Sequence, residues 1–318
     1  MGRTGSGGLA LVAFVARRVV VALPVAFAVL VVTFAMLRLV PGDPVDVMAG
    51  STMTPQVAAE LKQELGLDKP LPRQFFDYVD HVLHGNLGTS FVTHEKVTSI
   101  VAEHLPYTLE LTGVGVAVGL LLSLPLGMLA ALRQTRRRRS GVSFAVATTA
   151  FAATPDFLLA TVLAAVFAVY VHWFPVAGAQ GWRSIVLPAL ALGIPLAGIQ
   201  ARVVRSSVLD VVGRPFVRTL RAAGVRERRL LFRSVLPNAS IPVVTVLSVE
   251  FGRLLAGALV VENVFNWPGL GTTIFNSISN RDLPAVQGEI LVLALIILGI
   301  NLLVDVLYRL IDPRIGAT

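Results

Sequence analysis

"RTLRAAGVRERRLLFRSVLPNASIPVVTVLSVEFGRLLAGALVVE", residues 218–262, sets a run of arginines directly against an apolar stretch. The apolar part, 240–262, is long enough to cross a bilayer as a helix, which takes about 20 mostly apolar residues. The arginine part does not follow it into lipid, because a charged side chain at the bilayer centre costs about 2.5–3.5 kcal/mol. The junction near Leu236-Pro237 is therefore read as a membrane boundary.

Working outward, five further stretches have the same apolar character: roughly 19–39, 107–132, 143–171, 185–204 and 287–308. The composition agrees, with 318 residues, 55% apolar, only 14% charged and a mean hydropathy of +0.75. All six are read as helices, since an open chain in hydrocarbon can satisfy its backbone polar groups in no other way. The expected fold is all-α, a polytopic membrane protein with six transmembrane helices. Arg17 and Arg18 precede the first apolar run as they would in a secretory leader. That run is long, however, and it leads into "RLVPGDPVD" (38–46) with no small-residue cleavage site, so a retained anchor is expected.

Nineteen Lys and Arg fall in the N-terminus, 133–139, 202–233 and the C-terminal end, against six in the alternate loops. Under the positive-inside rule both termini lie in the cytoplasm, as does the loop 208–238. There its arginines also meet anionic head groups. The net charge of +8 is thus topological; nucleic-acid binding has no support from a tethered segment without interleaved aromatics. The boundaries that follow are a cytoplasmic N-terminus and first span (1–40), an extracytoplasmic helical segment (41–104), a five-helix core (105–310) and a cytoplasmic tail (311–318). In the outer segment Thr54-Pro55 opens a helix that Gly66 ends, and a second helix runs from Pro72 to Leu83.

Within the basic loop, Arg214, Arg218 and Arg221 recur at helical spacing beside Phe216, Leu220 and Ala223, which predicts an amphipathic helix over 208–223. After Gly224 the pattern restarts, with Arg226, Arg229 and Arg233 on one face and Leu230, Leu231 and Val235 on another. Gly224 reads as the break between two short helices. Leu236-Pro237 is expected to close the second.

Gly224, nine intervening residues and Ser-Val-Leu-Pro at 234–237 together resemble the "EAA" loop of bacterial ABC importer permeases. The E-A-A positions hold Arg218, Thr219 and Leu220 here, and "VRTLRAAG" is similar to the form found in the dipeptide and oligopeptide (nickel) subfamily. "RLVPGDP" (38–44), "ELGLDKPL" (64–71), "GNLGTSF" (85–91), "LPYTLEL" (105–111), "VVENVFNWPGLG" (260–271) and "NLLVDVLYRLIDPRI" (301–315) agree with that subfamily in order and spacing. They resemble the first permease of dipeptide importers; one departure is Asp156 in "ATPDF", where the family has an uncharged polar residue. The resemblance implies the type I ABC importer permease fold in a plasma (inner) membrane. It implies a partner permease in a heterodimer, two cytoplasmic ATPase subunits or one fused pair, and an extracytoplasmic binding protein. Carried over residue by residue, ATPase coupling falls on Arg218, Thr219, Arg221, Ala222, Ala223, Gly224, Leu236 and Pro237. The implied cargo is di- or oligopeptides, with nickel and glutathione as alternatives.

The chain has no Gly-Lys dipeptide and hence no phosphate-binding loop, so ATP and Mg belong to separate ATPase subunits and no cofactor is assigned here. Neither H-E-x-x-H nor G-x-S-x-G occurs, and there is no cysteine; no catalytic residue and no metal site are assigned. His81 and His84, with His94 and His104, are the groups a nickel reading would use, but exposed cap histidines are commoner. Inside the spans, Glu250 and Arg253 stand three apart, placed either to pair with each other or to line a translocation path for a zwitterionic substrate. Glu110, Glu289 and Asp305 are expected near span ends, reaching toward the interface. The contrasting class is a secondary transporter driven by an ion gradient, with Glu250 and Arg253 as a relay.

Overall fold

The computed structural model describes residues 5–39, 68–136 and 141–311, all helix and connecting turns apart from an isolated antiparallel bridge between Thr89 and Lys96. The helix expected over 54–66 and the tail 312–318 lie outside the described residues. Along the chain come α1 (Gly5–Leu39), α2 (Leu71–Leu83), α3 (Val97–Arg136), α4 (Gly141–Ala153) and α5 (Asp156–Leu163, continued by π-helical turns over Ala164–Tyr170). They are followed by α6 (Trp182–Val212), α7 (Pro215–Ala222), α8 (Glu227–Leu230, continued by π-helical turns over Leu231–Val235), α9 (Leu236–Val264), α10 (Leu270–Ser279) and α11 (Leu283–Ile311).

Among the described residues five helical stretches are long and apolar enough to cross a membrane: Ala13–Met36, Val97–Gln134, Trp182–Val212, Glu227–Val264 and Leu283–Val304. The sixth, expected as one helix over 143–171, is instead the pair Gly141–Ala153 and Asp156–Tyr170, bent by 90° at the break. Pro155 is the cause. It has no N–H to continue the ladder and drives its predecessor out of the helical region. Its own backbone is extended (φ −62°, ψ 136°), and the Thr154 hydroxyl turns back to the Ala150 carbonyl at 2.8 Å.

The chain divides into two compact units. One comprises residues up to Pro106 together with Leu270–Leu302. In it α2, expected over 72–83 and found over Leu71–Leu83, packs on α1 through aromatic edges: Phe34 to Phe75 at 5.1 Å and Phe27 to Phe75 at 5.9 Å between centroids. Thr33 Oγ1 lies 3.1 Å from the Tyr78 hydroxyl, and burial pushes that phenol above its ordinary pKa. On the outer side of α2, the hydrogen bond from the Lys69 ammonium holds Asp77 below the usual carboxylate range. Asp282 precedes α11 and accepts from Ser90 Oγ, from the Phe91 amide at 3.1 Å and from the Ala285 amide at 3.4 Å. The "GNLGTSF" loop is thereby pinned to the start of α11.

The second unit comprises Tyr107–Gly269 and the residues from Leu303. Its axis is α6, whose small and branched side chains Ala189, Ala191, Leu192, Leu196 and Ala197 are buried, with α4, α5 and α9 packed around it. A second apolar cluster at the C-terminal end of α6 joins Val204, Val208 and Val211 to Val217, Leu230, Val235 and Ala239. That cluster seats the basic segment.

Candidate functional site

The basic segment is built from its breaks. The helix expected over 208–223 is interrupted: α6 runs on to Val212, Gly213 and Arg214 turn the chain, and Pro215 opens α7 at its first position, where the missing N–H is costless. At the far end the expected break at Gly224 is present. Gly224 takes φ +77°, the Val225 amide donates to the Leu220 carbonyl at 3.2 Å and the Gly224 amide to the Arg221 carbonyl at 3.1 Å. This pair of bonds is the Schellman ending, which needs a left-handed residue at Gly224's place. Leu220 and Val225, its two apolar positions, both pack against the same cluster.

The buried face of α7 is Val217 with Leu220; Phe216 and Ala223, expected beside Leu220, are exposed. On the following helix Leu230 and Val235 are buried and Leu231 is half-buried, as the spacing predicts. Leu236-Pro237 does not close that helix. Helix runs without interruption from Glu227 to Val264 over 38 residues. The π-helical turns over Leu231–Val235, where the Leu236 amide reaches back five residues to the Leu231 carbonyl, immediately precede the proline and loosen the ladder where its ring would crowd the preceding turn.

Of the residues assigned to coupling, Arg218, Thr219, Arg221, Ala222, Ala223 and Gly224 form one exposed surface. Pro237 is exposed and Leu236 half-buried on the adjoining helix. Arg221 is engaged internally: its Nε donates to Glu227 Oε1 at 2.6 Å and its Nη2 to Oε2 at 3.4 Å, across the Gly224 turn. Beside this fork Ala223, Gly224, Val225, Arg226, Arg228, Arg229, Phe232 and Arg233 line an open concavity of about 800 Å³. Its wall is basic and carries no carboxylate, a surface suited to an acidic partner.

The second candidate lies within the spans. Arg253 Nε donates to Glu250 Oε2 at 2.5 Å, so the pair expected from their spacing does form. Arg253 Nη1 donates in addition to Asp156 Oδ2 at 3.1 Å, from the first residue of α5. The carboxylate side chains are 14% and 15% exposed and the arginine 40%, so one edge of the guanidinium opens outward from the isolated chain. Asp156 was visible in the sequence as a lone charge after Pro155. Nothing in the spacing joined it to a partner 97 residues away. Elsewhere, Glu289 is fully buried on α11 rather than reaching an interface, with Ser277 Oγ donating to Oε1 at 3.3 Å. Glu110 is exposed, and the side chain of Asp305 lies outside the described residues. Among the described residues no three His, Asp or Glu side chains gather as metal ligands; His84 Nδ1 sits against the Asp80 carbonyl at 2.8 Å.

Residues 123–317 match the family described as "Binding-protein-dependent transport system inner membrane component", and residues 11–112 match the N-terminal family of such membrane components. The chain is 41% identical over 303 residues to the glutathione transport system permease protein GsiC of Salmonella choleraesuis, covering 95% of this chain and 98% of that one. To GsiC of Escherichia coli K12 it is 39% identical over the same length. Among solved structures, the inward-facing MetNI methionine ABC transporter is similar in fold, with a TM-score of 0.53 at 20% identity over 67% of this chain and 96% of that one.

Proposed function

The chain belongs to the family of binding-protein-dependent transport system inner membrane components, is the permease subunit of an ABC importer, and on that premise we propose that it carries small peptides, glutathione foremost. Glutathione is itself a tripeptide, so the names of the relatives fall within the peptide class that the motifs imply. The outside histidines supply no observation in favour of nickel.

The family implies work alongside a second permease, ATPase subunits and a binding protein. We infer a heterodimer with a similar permease, two ATPase subunits or one fused pair, and a binding protein delivering cargo to the face opposite the basic loop. ATP and Mg act in the ATPase subunits, and this chain contributes pathway and lever without catalysis. Both termini and the loop 208–238 lie in the cytoplasm on the charge count.

Residues 105–310 form half of the pathway in this reading, and 208–238 receives the ATPase. The observation that carries the coupling role is the exposed turn at Gly224, joined through α8 to a transmembrane helix with no intervening break. A push on such a turn reaches the bilayer through continuous helix. Exposed Arg218, Thr219, Ala222 and Ala223 meet the ATPase directly, while Arg221 braces the turn through Glu227. Glu250 and Arg253 line the path, with the open edge of the guanidinium toward the passing zwitterion. Intramembrane charges face a bundle interior or a wet cavity almost without exception.

The test is uptake of labelled glutathione into proteoliposomes holding the assembled importer and its binding protein. ATP-dependent accumulation is expected. Accumulation that persists without ATP under an imposed proton gradient would establish the secondary-transporter reading instead.

A further inference from the structure

Asp156 is the first helical residue after the 90° break at Pro155. Arg253, which holds its Oδ2, stands on α9, which continues α8 without a break from Glu227. About 40 Å of helix therefore connects the ion pair to the Gly224 turn. A Cβ at Gly257, one turn beyond Arg253, would lie 2.6 Å from the same Oδ2, so only glycine admits the carboxylate this close to α9. Asp156 Oδ1 is buried with no hydrogen-bond partner. The ion pair in its glycine notch thus adds a polar contact to the apolar packing of Ala160 and Leu163 with Leu254 and Ala258, and Oδ1 keeps acceptor capacity that this arrangement leaves unused.

We propose that Asp156 is a positioning residue of the transport cycle: with Arg253 and Gly257 it latches the break in the third span to the α8–α9 rod, so that movement of the coupling segment changes the bend at Pro155. Small displacements at one end of a packed element become switches where the far end has two discrete arrangements. The bend at Pro155, where the backbone ladder is already interrupted, is where such a displacement is taken up. The latch rests on the coupling role proposed for 208–238.

The chain contains no cysteine, so a spin label can be placed uniquely at exposed Val146 on α4 and another at exposed Val162 on α5. In the assembled importer, trapping with Mg-ATP and vanadate is expected to shift the 146–162 distance relative to the nucleotide-free state. D156N, which removes the charge, and G257A, which displaces the carboxylate without altering any charge, both abolish that shift while ATPase subunits still co-purify. A shift that survives in either variant, or no shift in the parent, overturns the latch; should D156N fail to assemble, G257A decides by the same criterion. The parallel variant G224V separates the two ideas. Loss of the shift in G224V with retention in D156N removes the latch alone, whereas retention in G224V with loss in D156N removes the coupling role, and with it the link from the coupling segment, and leaves Asp156 as a positioning residue of the bend only.

Discussion

Replacing Gly224 isolates the geometry of the lever from its chemistry. The residue takes φ +77°, and a Cβ built there meets nothing within 4 Å, so any penalty comes from the backbone alone. Holding an L-residue in the left-handed region costs about 1–2 kcal/mol, least for asparagine and most for a β-branched residue. The alternative is to abandon the turn. That releases the Leu220 and Arg221 carbonyls from their bonds with Val225 and Gly224, each worth about 1 kcal/mol net. Either way Gly224→Ala should cost about 1 kcal/mol and Gly224→Val about 2 kcal/mol or more. Since about 1.4 kcal/mol is tenfold in an equilibrium constant, a cost of about 2 kcal/mol lowers the ratio of native to altered turn in the valine variant by roughly 25- to 30-fold. The assay is substrate imported per ATP hydrolysed in proteoliposomes. The expected order is Gly, then Asn, then Ala, then Val, with membrane insertion unaltered. A valine variant that assembles and couples like the parent, or an asparagine variant worse than valine, would refute the argument from backbone conformation.

Charge reversal tests the brace across that turn: R221E or E227R alone should lower import per ATP, and the R221E/E227R double variant should regain it. The pair is about half exposed, so the interaction energy of the double-mutant cycle should stay below about 1 kcal/mol, and a double variant as impaired as the singles would deny the pairing any role. Arg218 has an exposed side chain on the presented surface, so R218Q should reduce co-purification of ATPase subunits; undiminished recovery at every salt concentration would return Arg218 to lipid contact. Glu289 is fully buried with Oε2 unpaired, so E289Q, which keeps the acceptor for Ser277, should leave the melting temperature equal or higher, whereas S277A should lower it, a difference read by thermal unfolding in detergent.

Five of the six apolar stretches lie in helices long and apolar enough to cross a membrane and the sixth in a bent pair, because an open chain in lipid must satisfy its backbone polar groups within each segment. The turns were harder to read. Gly224 was legible because its neighbours restart an apolar pattern after it, and the Schellman bonds realise that break directly. Gly213-Arg214 was not: the arginine spacing runs through it, and the helix stops there because Pro215 prefers a first position, a local effect the amphipathic pattern masks. Pro237 misled in the other direction. A proline usually marks an end, yet here π-helical turns directly before it accommodate it inside a helix of 38 residues, a tertiary outcome with no sequence signature. The registers of Phe216 and Ala223 failed for a related reason, since burial of α7 is decided by Val217 meeting the end of α6.

The ion cluster was half legible, and the missing half alters its meaning. Glu250 and Arg253 alone form a neutral pair on one helix face, a local device for lowering the cost of two charges in a span. Asp156 adds a second carboxylate and leaves the cluster with one formal negative charge and a buried oxygen without a partner. Stability does not explain that choice: apolar side chains of similar size often replace buried ionic groups at no loss, and each ionised group at mid-span costs about 2.5–3.5 kcal/mol to insert. What the third charge adds is a polar link, on top of apolar packing, from the broken span to the rod that ends in the basic turn. The latch proposed above gives that link a use: the cost is borne in the conformation seen, and a second conformation of the proposed transport cycle makes the pair differently.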